Sequence, residues 1–342
     1  MASGQRRTLM SIAGAGGLKG FGSRIANPAT LPASTVYEVT FNPANTYIAT
    51  AHNFSPYVSV YPWTGEFGVK ITNPATLPPG TGYSVAFSPD SNYIAVAHNN
   101  SPYISVYPWA GAFGTKITNP ATLPTGTGNS VVFSPGGNFI AIAHSSSPYI
   151  SVYPWTGVFG TKVTNPSVIP EARNEGRSVA FSPDSNYIAV AHNNTSGVNV
   201  YVWASAFGVK IANPATLPSG FGNAVTFSPD GNFIAVGHGS SPFISVYPWT
   251  GSFGARVANP ATLPTNDANA VTFGPAGDYI AVAHDSSPRV SVYPWTGSFG
   301  TKIANPATLP TGNGTAVTFN PTGDYIAVGH DSSPFISVYP FS

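Results

Sequence analysis

One stretch of about 46 residues is copied seven times along this chain, and that repetition limits what it can fold into. The histidines give the period. There are seven, His52, His98, His144, His192, His238, His284 and His330, spaced 46, 46, 48, 46, 46 and 46 residues apart. Phe41, Phe87, Phe133, Phe181, Phe227, Phe273 and Phe319 keep the same count, each two residues before a proline. A fixed period of this length, with several short apolar runs in each copy, is the signature of a β-propeller. The expected fold is all-β: a seven-bladed β-propeller of four-stranded antiparallel blades.

The second copy, Ser84 to Pro124, shows the plan. Strand A is expected over Ser84–Phe87, followed by a tight turn, Ser88-Pro89-Asp90-Ser91-Asn92, with Pro and Asp where a type I turn favours them. Strand B is expected over Tyr93–His98 and strand C over Tyr103–Trp109, with a second turn at Asn99-Asn100-Ser101-Pro102 between them. Strand D is expected over Phe113–Thr118. Runs such as Ile94-Ala95-Val96-Ala97 are continuously apolar, which suits strands covered on both faces. The longest link opens with Asn-Pro-Ala-Thr-Leu-Pro, which recurs at 27–32, 73–78, 119–124, 213–218, 259–264 and 305–310. Its two prolines predict a rigid, docked strap.

Residues 18–32 match only the last part of a copy, and the last copy stops at Val338-Tyr339-Pro340-Phe341-Ser342. The two fragments are complementary. Residues 18–26 are therefore expected to supply the outer strand of the last blade, so that the N-terminal strand joins the three C-terminal ones and the ring closes without an exposed edge. This gives one propeller domain, 18–342, preceded by an arm, 1–17. Arg6 and Arg7 ahead of Leu9 to Gly17 are a weak match to a signal peptide, but the apolar part is short and glycine-rich. A flexible or partner-ordered arm is the expectation.

Charged residues make up 7% of the chain and the net charge is +1, which argues against a nucleic-acid-binding surface. With 13% aromatic residues the chain is not of disordered composition. There is no cysteine and hence no disulfide framework. No apolar run is long enough to span a membrane.

The unit Val-Ala-Phe-Ser-Pro-Asp-Ser-Asn-Tyr-Ile-Ala-Val-Ala-His, followed by Tyr-Ile-Ser-Val-Tyr, resembles WD40-type propeller repeats over residues 18–342. It departs from them where no Gly-His precedes strand A and where Tyr107-Pro108 stands in place of Trp-Asp. The Asp-His-Ser/Thr-Trp network of typical members is therefore not expected. Tyr-Pro-Trp-Thr-Gly-x-Phe-Gly combined with Asn-Pro-Ala-Thr-Leu-Pro resembles propeller-repeat proteins encoded among the structural genes of tailed bacteriophages. That resemblance implies a virion component, and propellers of this type mainly bind other proteins. Fold alone does not fix function.

Four sets of residues are candidates for chemistry. The histidines have the right chemistry for metal binding or a pH switch, but equivalent atoms of neighbouring blades should lie ~10 Å or more apart, and no acidic residue recurs beside them. A histidine hydrogen-bonded across the B–C turn is expected instead. Arg24, Lys70, Lys116, Lys162, Lys210, Arg256 and Lys302 should form a rim ring on the outer strands, where charge blocks edge-to-edge pairing or meets an acidic neighbour. Trp63, Trp109, Trp155, Trp203, Trp249 and Trp295 should pack between blades; if they were exposed beside Asn, Asp or Arg they would suit a glycan site. The fourth copy departs from the rest: its link is two residues longer and carries Glu171, Arg173, Glu175 and Arg177. These four form either a salt-bridged loop or a specific docking contact.

No catalytic constellation stands out, and no cofactor or metal is expected. The expected function is a non-enzymatic scaffold, a tail or capsid accessory in a phage virion, whose partners are other virion or scaffold proteins. The alternative is a glycan-binding propeller used in host adsorption, with a secreted or cytoplasmic soluble location as the alternative setting. Neither nucleic acid nor membrane is an expected partner.

Overall fold

The structure, a computed structural model, describes residues 18–169 and 175–342; the expected arm over 1–17 lies outside the described residues. Seven antiparallel sheets follow one another along the chain. The first holds β1 (Val36–Phe41), β2 (Tyr47–His52) and β3 (Val58–Pro62), and the second β4 (Gly82–Phe87), β5 (Tyr93–His98) and β6 (Ile104–Pro108). The third holds β7 (Gly128–Phe133), β8 (Phe139–His144) and β9 (Ile150–Pro154). The fourth has four strands, β10 (Gly176–Phe181), β11 (Tyr187–His192), β12 (Val198–Trp203) and β13 (Phe207–Lys210). The fifth holds β14 (Gly222–Phe227), β15 (Phe233–His238) and β16 (Ile244–Pro248), and the sixth β17 (Ala268–Phe273), β18 (Tyr279–His284) and β19 (Val290–Pro294). The seventh holds β20 (Gly314–Phe319), β21 (Tyr325–His330) and β22 (Ile336–Pro340). This repeated all-β architecture fits a seven-bladed propeller.

The middle strand of each sheet shows why the repeat folds this way. In β5 only Tyr93 is partly exposed, and Ile94 to His98 are buried without a break. Alternation is lost because a neighbouring sheet covers each face. The Ser88–Asn92 turn sets the β4–β5 register: Ser91 N–H bonds Ser88 C=O at 2.8 Å, Asp90 accepts from Ser88 Oγ and the Asn92 N–H, and Phe87 pairs with Ile94.

Four-stranded blades are not the rule. Six sheets have three strands, and the expected fourth is reduced to single bridges such as Trp109–Phe113 plus isolated bonds such as Gly114 N–H to Pro108 C=O (2.9 Å) and Ile117 N–H to Val106 C=O (2.8 Å). Proline is the reason. Trp109 N–H points inward to Asn92 C=O (2.7 Å), so position 108 faces the outer segment, and proline offers it no N–H. The one sheet with a fourth strand is the one with Val202 at that position.

Each of the seven hydrophobic clusters is shared between two sheets. The second sheet's Val85, Ile94, Val96 and Tyr107 pack on Ala49, Ala51, Val58 and Val60 of the first. Val36, Val39 and Ile48 of the first sheet pack on Ala316, Ala327, Ile336 and Val338 of the seventh. First strands neighbour one another in the order β1, β4, β7, β10, β14, β17, β20, and β20 also neighbours β1. Residues 20–25 run along β22: Gly22 N–H bonds Pro340 C=O and Ile25 N–H bonds Val338 C=O, both at 2.8 Å, repeating the Gly114 and Ile117 bonds. Phe21 packs edge-on against Tyr339 and Phe341, with ring centroids 5.5 and 5.8 Å apart.

Two contacts between sheets are individually matched. A Cβ on Gly329 would lie 2.7 Å from Val36 Cγ1, and one on Gly237 would lie 3.3 Å from Ala268 Cβ. Most copies reverse the sizes, with alanine at the Gly329 position and glycine at the Val36 position, as in Ala97 facing Gly128.

Candidate functional site

Five of the histidines are tied at both ring nitrogens to a carbonyl and a serine. In His98, Nδ1 lies 2.8 Å from Asn100 C=O and Nε2 lies 3.0 Å from Ser105 Oγ. A carbonyl only accepts, so Nδ1 carries the proton and Nε2 accepts from the serine hydroxyl. His52, His238, His284 and His330 repeat this with Ser59, Ser245, Ser291 and Ser337. Burial drives His52, His98, His144, His238 and His330 down to about 4 and lowers His284 as well. These are neutral structural groups across the B–C turn. Among the described residues no group of three or more His, Cys, Asp or Glu is placed to hold a metal ion.

The tryptophans are buried between sheets, each 2–4% exposed. Trp109 meets Phe87 and Phe113 of its own repeat and Tyr47 of the preceding sheet, at centroid distances of 5.7, 5.1 and 5.1 Å. Trp63 makes the corresponding contact with Tyr325 of the seventh sheet at 5.2 Å. None offers the exposed ring face that glycan stacking needs. Tyr107 Oη donates to Thr76 C=O at 2.8 Å, and Tyr61, Tyr153, Tyr247, Tyr293 and Tyr339 make the equivalent bond, so the Pro-rich straps are docked as expected.

Of the rim ring, Lys70, Lys116 and Lys302 bond the strap asparagines Asn73, Asn119 and Asn305, and Lys162 and Lys210 reach Asn165 and Asn213 at 2.5 and 2.8 Å. These ammonium groups lie along the surface and tie each outer segment to its own strap. Arg24 and Arg256 hold the corresponding positions.

Of the charged cluster in the fourth link, Glu171 and Arg173 lie outside the described residues. Glu175 and Arg177 turn toward the first strands. Arg177 Nε is 3.7 Å from Glu175 Oε2, Arg177 Nη1 donates to Asn223 Oδ1 at 2.6 Å, and Glu175 Oε1 accepts from Asn129 Nδ2 at 3.1 Å.

These bonds belong to a feature that no recurring residue marks in the sequence. The first strands of all seven sheets line one cavity of about 370 Å³. One column of the repeat forms its belt: Tyr37, Tyr83, Asn129, Arg177, Asn223, Asn269 and Thr315. Much of this belt bonds onward to the next sheet. Asn129, Asn223 and Asn269 donate to Gly176, Ala268 and Gly314 C=O at 2.9, 3.0 and 2.9 Å, and Thr315 donates to Val36 C=O. Tyr37 and Tyr83 instead pack ring on ring, 5.0 Å apart. The next column is Glu38, Ser84, Ser130, Ser178, Ala224, Ala270 and Ala316. Its serines accept the N–H of Val131, Val179 and Val225 in the following sheet at 3.1, 3.3 and 3.2 Å. Glu38 is the one ionisable group in that column, and burial pushes its carboxyl up to about 8.

Smaller clefts recur between turns. One of about 360 Å³ is lined by Asp90, Asn92, Tyr93, Asn138 and Trp155, and one of about 580 Å³ by Asp184, Asn186, Tyr187, Asn232 and Trp249.

No protein-family model matches this chain. A search of curated proteins found no match either.

Proposed function

We propose that this chain is a closed seven-bladed propeller acting as a non-catalytic protein-interaction scaffold, with a phage virion as its setting. One observation carries the scaffold reading: the repeated reactive side chains are engaged inside the protein. Histidines bond serines and carbonyls, tyrosines bond straps, tryptophans fill the spaces between sheets, and lysines bond asparagines. Charge is sparse on what remains outside, since charged residues make up only 7% of the chain. Closure is supported by the shared first–seventh cluster and by the bonds of residues 20–25 to β22. The phage setting rests on the repeat resemblance alone.

The end of the ring at which β1 and its equivalents begin is the proposed binding face. Phe54 and Phe221 stand there, 62% and 52% exposed, where the other copies carry Asn, Ser, Thr, Asp or Glu. Mass spectrometry and cryo-electron microscopy of particles containing the chain test the reading. Stoichiometric incorporation with this end, or the 165–177 link, at a contact is expected. A free monomer in the soluble fraction is the outcome that sinks it. Substituting Phe54→Ser and Phe221→Thr should then reduce incorporation while leaving the fold intact.

The clefts favour glycan binding as a second reading, because each sets a carboxylate and amides beside an aromatic edge. Glycan-array binding lost in Asn138→Ala would support it, and a blank array would remove it.

A further inference from the structure

The cavity along the first strands is the place where the seven copies stop being alike. Tyr37 and Tyr83 are the two aromatic members of its belt, and Glu38 adjoins them on β1. Tyr37 and Glu38 both line the cavity, next to a register shift between Val36 and Glu38. Arg177 is balanced by Glu175 at 3.7 Å. Glu38 has no cation within ion-pair distance among the described residues, and only the adjacent Val39 N–H favours its charged form. Where three copies use serine to bond the next sheet, this copy carries an uncompensated carboxyl in the cavity that the paired Tyr37 and Tyr83 rings also line.

We propose that this cavity binds a small organic cation, an ammonium-bearing molecule held by the Glu38 carboxylate against the Tyr37 and Tyr83 rings. A carboxylate joined to aromatic faces is the arrangement that attracts ammonium groups. A metal ion would need more oxygen ligands than one carboxylate provides, and no group of three ligating residues is present among the described residues. The volume of about 370 Å³ falls within the usual range for small-molecule sites. The site does not depend on the scaffold role.

The site is coupled to pH. With a midpoint of about 8, Glu38 is mostly protonated at neutral pH, so a bound cation displaces that proton. The strands packed on β1 carry Tyr83 in β4, Tyr47 and His52 in β2, Tyr325 and His330 in β21, and no titratable side chain in β20. Of these only Tyr83 lines the cavity with Tyr37 and Glu38, and burial raises the Tyr37 hydroxyl above the ordinary tyrosine range.

The test is calorimetric titration of the full chain with choline, ethylammonium and spermidine at about pH 9, one unit above the Glu38 midpoint. We expect saturable one-site binding of at least one of them below ~10 mM. The affinity should fall as pH is lowered toward 6, with proton release seen as a buffer-dependent heat. The neutral choline isostere 3,3-dimethylbutan-1-ol should bind at least about tenfold more weakly than choline. Glu38→Ser introduces the residue that three copies already carry at this position, so it should fold, and it should weaken binding about tenfold. Tyr83→Asn, the residue of three other belt positions, should also weaken it. No saturable binding of any of the three cations, or equal affinity in folded Glu38→Ser, overturns the proposal. If Glu38→Ser does not fold, Glu38→Gln, which keeps the shape and removes the charge, decides in its place.

Discussion

At the scale of single residues, a histidine that must stay neutral makes the fold acid-labile. In the unfolded chain these side chains protonate near 6.5, and in the folded protein at about 4 for His52, His98, His144, His238 and His330. Between those values the unfolded state binds more protons, so stability is fully present above about pH 6.5 and is lost as pH falls toward 4. Each histidine forced to protonate costs about 3 kcal/mol, against a usual margin of ~5–15 kcal/mol. Thermal melts should show the midpoint dropping steeply below about pH 6. A flat profile down to pH 4.5 would mean that the histidines charge freely. Ser105→Ala removes the donor to His98 Nε2 and should destabilise by about 1–3 kcal/mol in urea unfolding. Glu38 works in the opposite sense. Its folded pKa is raised from 4.5 to about 8, so it makes the folded protein less stable as pH rises through that interval. Glu38→Ser should therefore gain stability relative to wild type between pH 5 and 8, and equal melts across that range would contradict this. The histidine network was legible in the sequence because it recurs. The cavity belt was not, because its signal is the reverse: Tyr37, Tyr83, Asn129, Arg177, Asn223, Asn269 and Thr315 form a column that varies from copy to copy.

At the scale of elements, the apolar run Tyr93–His98 matched β5 residue for residue, because a strand covered on both faces leaves little room for another reading. Strand C is one residue shorter at each end than its sequence implied. The outer strand departs from its side-chain pattern for a backbone reason. The Phe-Gly-Thr-Lys-Ile-Thr segment reads as a strand, yet the partner edge lacks the Pro108 N–H needed to hold it. Pro108→Val should restore that donor and extend the fourth strand of the second sheet. Hydrogen exchange at residues 113–116 is expected to slow, with stability changed by no more than about 1 kcal/mol. Val202→Pro should do the reverse to β13. Unchanged exchange in both variants would show that proline is not the cause. Of the charged link, Arg177 proved to belong to the cavity wall, with Glu175 beside it, a placement that depends on the start of β10 and could not be read from charge spacing.

For the whole molecule, the first and seventh sheets meet through a matched pair. Gly329→Ala places a methyl group against Val36 and should destabilise by about 1–3 kcal/mol. Val36→Gly in the same chain should recover part of that loss, with a coupling of at least about 0.5 kcal/mol in a double-mutant cycle. Additive effects would mean that the two residues do not press on each other. The seven-fold plan itself was legible in the histidine and phenylalanine spacing, since a copied unit can bury its faces only against further copies.

The position of that pair matters for how such a gene can change. Val36 lies in the first full copy and Gly329 in the last, so unequal crossing-over among the copies between them would add or delete whole units without touching either residue. Most junctions between successive sheets are nearly interchangeable, the Gly237–Ala268 one excepted, and the first–seventh contact travels with its own two residues. Selection on such a lineage would act on the number of copies, with the first–seventh contact already inherited.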